Sequence, residues 1–198
     1  MRKEEISDLM SKRISKTNVE MVVDDICGGK GNISDLFDLI SNTTDKNVKI
    51  HSAWALEKIA KRDIELCMPL FPDILQLFPI LIYDMEKRCF SKIILLYLEY
   101  YFKNNKNLQS FNYVQIYEWE NVIETLFGNL LNSKTPNALK VLSAYCLAYL
   151  SVRYNWIEEE LKFQMQHQLF SPSMIAANKK INYIYFLYKH LMQVIYIF

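Results

Sequence analysis

Glycine and proline are scarce in this chain. Four glycines and five prolines interrupt 198 residues, and the glycines fall at 28, 29, 31 and 128. Long stretches without a breaker exclude a many-stranded barrel or sandwich, which needs a turn every few residues. Charge of one sign is lacking too, since 23 Lys and Arg face 22 Asp and Glu for a net charge of +1. No long uninterrupted hydrophobic run is present. The most apolar stretch, 181–198, is broken by Asn182, Lys189, His190 and Gln193, too polar for a membrane span. The start, Met1-Arg2-Lys3-Glu4-Glu5, has no apolar signal-peptide core. Cys27, Cys67, Cys89 and Cys146 are scattered without C-x-x-C spacing, which reads as buried, reduced thiols in a cytoplasmic protein. What the chain does have is apolar material: 51% hydrophobic and 14% aromatic residues, enough for a globular core.

That material is arranged in repeats. Val48-Lys49-Ile50-His51-Ser52-Ala53-Trp54-Ala55-Leu56 aligns with Leu139-Lys140-Val141-Leu142-Ser143-Ala144-Tyr145-Cys146-Leu147 at an offset of 91, continuing through Ile59/Leu150 and Arg62/Arg153. A weaker copy begins at Glu86-Lys87-Arg88, offset 38 from the first. Apolar residues recur at three and four, the period of one helical face. The small Ser-Ala pair in two copies allows close approach of a neighbouring helix, and Trp54 and Tyr145 align on the expected core face. The spacing predicts helix pairs over 33–41 and 46–62, 64–79 and 84–103, 117–132 and 136–153, and 157–170 and 173–190, the last extended by 191–198. Asp45, Pro136 and Ser171-Pro172 stand at expected helix starts. Residues 1–32 are expected to form N-terminal capping helices ending in a glycine-rich turn, with 33–198 a repeat array in the same single domain. Residues 104–116 are the one long insertion.

Asp45, Val48-Lys49, Ala53, Ala55-Leu56 and Ile59 match the second-helix pattern of the HEAT-repeat family, and the chain resembles that family over roughly 33–190. It is also similar to short uncharacterised bacterial HEAT-like proteins, with Ser171-Pro172-Ser173 in a final repeat. The second copy departs from the pattern, with Lys92 where the first has Trp54. The resemblance implies an all-α fold, a right-handed α-α superhelix of about four to five antiparallel helix pairs whose second helices line a concave face. It implies no reaction. In that family a basic residue at the Lys49 position serves ion pairing between neighbouring repeats.

Residues with catalytic or metal-binding potential do not group. Gly28-Gly29-Lys30-Gly31 lacks the Ser or Thr of a phosphate loop and reads as a turn. His51, His167 and His190 have no acid or cysteine at ligand spacing. Ser171 to Lys180 faintly resembles the mobile serine-methionine loop of the fumarase and adenylosuccinate-lyase enzymes, but Ile175 stands where the proline should be, so it reads as a helix-starting turn. Glu158-Glu159-Glu160 fits the first turn of a helix, where acids complement the macrodipole. Neither a catalytic residue, nor a metal, nor a cofactor is therefore expected.

Charge is sorted by helix. The four first helices, with Asp63 counted at the head of the second pair, sum to −10 and the four second helices to +10. A basic concave face of Lys49, Lys61, Arg62, Lys87, Arg88, Lys140, Lys179 and Lys180 follows if second helices line the inside. Helix dipoles account for the residues at helix ends, such as Lys61 and Arg62, but not for Lys49, Lys87, Arg88 and Lys140 near helix starts. Tyr113, Tyr117 and Trp119 beside the insertion are candidate aromatic anchors. The expected function is a non-catalytic binding or scaffold module for a protein or peptide partner, monomeric or weakly dimeric and not membrane-bound. Nucleic-acid binding is the alternative, since the pattern is also similar to HEAT-like alkylpurine DNA glycosylases.

Overall fold

A computed structural model describes residues 1–12, 15–104, 118–168 and 175–182. Among these the secondary structure is helical, with no strand. The chain divides into two compact units, Met1–Tyr100 and Tyr101–Phe198. Residues 1–32 fall within the first of these units.

In the first unit the helices are α1 (Lys3–Ser11), α2 (Lys16–Cys27), α3 (Ile33–Asn42), α4 (Lys46–Arg62), α5 (Phe71–Leu77) and all but the last turn of α6 (Asp84–Asn104). Short 3₁₀ turns at Glu65–Leu70 and Phe78–Ile80 flank α5. The α4 helix lies at the centre, packed on α1, α2 and α3. It buries Val48, Ala53, Ala55, Leu56 and Ile59 against Ile6, Met10, Val22, Val23, Leu36 and Ile40. Ser52 and Ala53 are both fully buried.

The helix ends follow from side-chain chemistry. Asp45 caps α4 by accepting from the Asn47 N–H at 2.7 Å and the Val48 N–H at 3.2 Å. Replacing Asp45 with Ala should cost about 1 kcal/mol, read as a lower urea midpoint at unchanged slope. The glycine run is a specific helix stop. Gly29 adopts φ +73°, the Lys30 N–H donates to the Asp25 carbonyl at 2.9 Å and the Gly29 N–H to Ile26 at 3.0 Å. This is the paired hydrogen bonding of a Schellman motif, in which glycine takes the left-handed position.

The expected helix over 64–79 is replaced by the 3₁₀ turns around α5. Pro69, Pro72 and Pro79 lie in it, and each removes an N–H from the helical ladder, so only short helical pieces persist. Its apolar periodicity survives nonetheless, because Phe71, Ile74, Leu75 and Phe78 are all buried, with the Phe71 ring stacked on Tyr97.

The second unit contains α7 (Glu120–Leu131), α8 (Asn137–Leu150), α9 (Trp156–Gln168) and a helical stretch over 175–182, here α10. The α8 helix packs on both α7 and α9. Ser143 and Ala144, aligned with Ser52 and Ala53, are likewise fully buried. Glu158 and Glu159 occupy the first turn of α9, as the dipole reading expects.

Candidate functional site

The basic residues of the second helices can be placed one at a time. Arg62 on α4 donates to Asp24 and, at 3.1 Å, to Glu20, both on α2, and Lys58 also pairs with Glu20. Glu20–Lys58 and Asp24–Arg62 both connect residues 38 apart, so α2 and α4 lie side by side and run in the same direction. The neighbouring Lys58 and Arg62 cations hold the Glu20 carboxyl below its ordinary range, with the Lys58 hydrogen bond contributing most.

The next step along is similar. Lys46 lies 5.0 Å from the centre of the Tyr83 ring, and Arg88 on α6 donates to Glu57 on α4 at 2.8 Å. Glu57 is 3% exposed, and Lys61 reaches its other oxygen at 3.0 Å. Such a buried carboxylate persists because two cations compensate its lost hydration. Arg62, Lys61 and Arg88, three members of the expected basic face, are thus engaged in ion pairs within the first unit.

Glu86, in the first turn of α6, is 1% exposed. Glu86 Oε2 accepts from the Tyr83 N–H at 3.2 Å, while Oε1 has no hydrogen-bond partner among the described residues. Burial pushes the Glu86 carboxyl up, against the opposing pull of that N–H and of Lys49. A raised value means the folded protein binds more protons than the unfolded chain just above the ordinary carboxylate range, so stability falls as pH rises through that window. Glu86→Gln should therefore raise Tm at about pH 8 relative to the parent, a gain that disappears near pH 4. Thermal melts at both pH values read it directly.

Lys87 and Lys140 are half-buried, and Lys179 is exposed. Lys180 lies over the Tyr145 ring at 4.3 Å, and Lys58 over Trp54 at 5.4 Å. Trp54 and Tyr145 are half-buried rather than in the core, each with a ring face covered by an ammonium group. Of the three expected aromatic anchors, Tyr113 and Tyr117 lie outside the described residues. Trp119 is completely buried at the start of α7, so it is a core residue and not a surface anchor. Ser171 to Met174 and the segment 183–198 also lie outside the described residues, and Ile175 to Lys180 are helical.

The sequence reading missed a groove in the second unit. It measures about 580 Å³ and is lined from α7 by Glu120, Ile123, Glu124, Phe127, Gly128 and Leu131, with Tyr154 and Trp156 opposite. Ile123 and Phe127 are its buried floor; Leu131 is 50% exposed and Trp156 55%. The Trp156 ring stacks on Phe127 with centroids 5.7 Å apart. The Tyr154 hydroxyl donates to Glu120 at 3.3 Å. A shallower groove of about 500 Å³ lies between α1, the end of α3 and the start of α4, and Lys3 at its edge pairs with Asp38.

No protein-family model, curated protein or solved structure matches this chain. Among the described residues no group of three or more His, Cys, Asp and Glu is placed to hold a metal ion, and no helix is long and apolar enough to cross a membrane.

Proposed function

We propose that this chain is a non-catalytic binding module built as a HEAT-like α-solenoid, presenting a helical surface to a protein or peptide partner. The repeat offset of 38 between second helices recurs in the Glu20–Lys58 and Asp24–Arg62 ties, which supports stacking of like helices in register. The observation that carries the choice of partner is the contrast between the units' surfaces. In the first unit, Lys58, Lys61, Arg62 and Arg88 face carboxylates of their own chain. A phosphate backbone would have to compete with those carboxylates. In the second unit the groove offers Leu131 and Trp156, apolar groups of the kind that anchor protein partners.

Nucleic-acid binding makes the opposite demand, namely several uncommitted cations whose affinity drops steeply with salt. Fluorescence anisotropy with duplex and single-stranded oligonucleotides, at about 50 and about 200 mM salt, separates the two. The binding-module reading expects no micromolar association at either concentration. Micromolar binding that collapses at the higher salt would replace it with the nucleic-acid reading.

A further inference from the structure

Gly128 has no evident role in the fold. It sits inside α7, three residues before the end, in ordinary helical conformation, and a Cβ built on it would meet nothing within 4 Å. Glycine at an exposed interior helix position is unfavourable relative to alanine, and neither a turn, a positive φ nor a neighbouring side chain requires it here. What does single out Gly128 is its place in the groove.

The helix wall of the groove consists of two rows at i, i+4 and i+8. Ile123, Phe127 and Leu131 form an apolar row, and Glu120, Glu124 and Gly128 the row beside it. Glu120 and Glu124 are exposed, and no cation is among the described residues that line the groove. Arg153, the cation next to it in sequence, lies over the Tyr154 ring at 4.9 Å. The wall therefore offers two carboxylates one turn apart, then a gap where a side chain would be, with Trp156 and Leu131 as apolar rim.

We propose that this groove receives an amphipathic basic helix of a partner protein. Lysines or arginines spaced one turn apart would face Glu120 and Glu124. Apolar residues one turn further on would lie between Trp156 and Leu131, and the missing side chain at Gly128 lets the two backbones approach closely. The proposal rests on the binding-module reading and names its partner chemistry. Any side chain at 128 would gain helix stability but hold the incoming helix off.

The test uses the full chain and two labelled synthetic helices of about 14 residues, four turns, with the same leucine stripe and either lysine or glutamate at the other positions. The lysine peptide should bind at least about tenfold tighter than the glutamate peptide. Gly128→Ala should raise Tm by about 2–4 °C yet weaken the lysine peptide, and Gly128→Leu should weaken it further. Glu120→Lys with Glu124→Lys should reverse the peptide preference. Equal affinity for both peptides, or no binding of either, overturns the proposal. Lysine-peptide binding that ignores the substitutions at 120, 124 and 128 also overturns it, while leaving the binding-module reading in place. Self-association by light scattering that Gly128→Leu abolishes would make a second copy the occupant and reject a foreign basic helix. The oligonucleotide measurement fails separately, through salt-dependent nucleic-acid binding.

Discussion

Trp119→Ala should destabilise the second unit by about 3–5 kcal/mol, the largest effect expected of any single substitution in this chain. Trp119 is fully buried, and its carbonyl accepts the first hydrogen bond of α7, from the Ile123 N–H at 2.7 Å. Truncation removes the largest fully buried side chain among the described residues and leaves a cavity that a close-packed surround fills only in part. A loss of that size lowers Tm by about 10 °C or more in a chain of this length. Trp119→Phe should recover most of it, since the ring volume is largely restored. Differential scanning calorimetry decides the matter. An unchanged Tm in the alanine variant would mean that the side chain is not part of the core. The cost should also be independent of salt, because burial and not charge is lost.

Arg88→Leu comes next, at about 2–4 kcal/mol. The substitution keeps much of the aliphatic bulk but takes the guanidinium from Glu57, leaving a nearly inaccessible carboxylate that still pairs with Lys61. Lys61 is half exposed and cannot supply the same compensation from a surface position. Glu57→Leu combined with Arg88→Leu should cost clearly less than Arg88→Leu alone, because the apolar pair no longer carries a buried charge. Urea unfolding of the two single variants and the double variant measures the coupling. A loss under about 1 kcal/mol for Arg88→Leu would place the pair among ordinary surface ion pairs. This cycle bears on function as well, since Arg88 belongs to the basic series that the sequence suggested for a binding face. A large coupling means that Arg88 holds α4 and α6 together.

Helices with chemical punctuation were the most legible part of the sequence. Asp45 marks the start of α4, and the span 46–62 could be read from it and from the apolar period. The N-terminal helices expected within residues 1–32 are present as α1 and α2, and the apolar residues around Ile6, Leu9 and Met10 and from Val19 to Ile26 are what make them legible. The segment around α5 misled because its apolar spacing is helical while its prolines forbid a continuous ladder, and backbone chemistry outranks side-chain period there. The ion pairs were hidden for a different reason. Glu20 and Lys58 are distant in sequence, and charge sorting by helix reveals which residues are basic but not which carboxylate each one meets. Trp119, flanked by Glu118 and Glu120, has the polar neighbours of a surface residue and gives no local sign of burial. The two i, i+4, i+8 rows on α7 were available in the sequence all along. Gly128 was noted as a position, and the question of why a helix should tolerate it arises only once the space above it is seen to be open.

The cysteines give the protein a built-in clock for its own opening. Cys67 and Cys89 are fully buried in the first unit, and Cys146 is fully buried in the second. Burial pushes the Cys67 thiol up to about 12 and the Cys89 thiol well above its ordinary range, so neither offers thiolate to a reagent while the fold is closed. Alkylation at neutral pH then requires local or global opening, and it follows the opening rate itself at reagent concentrations high enough to outpace reclosing. Mass spectrometry of the modified peptides would time the two halves of the chain independently, with no label introduced. Equal rates at all three sites would mean that the units open together, and a faster Cys146 that the second half breathes alone.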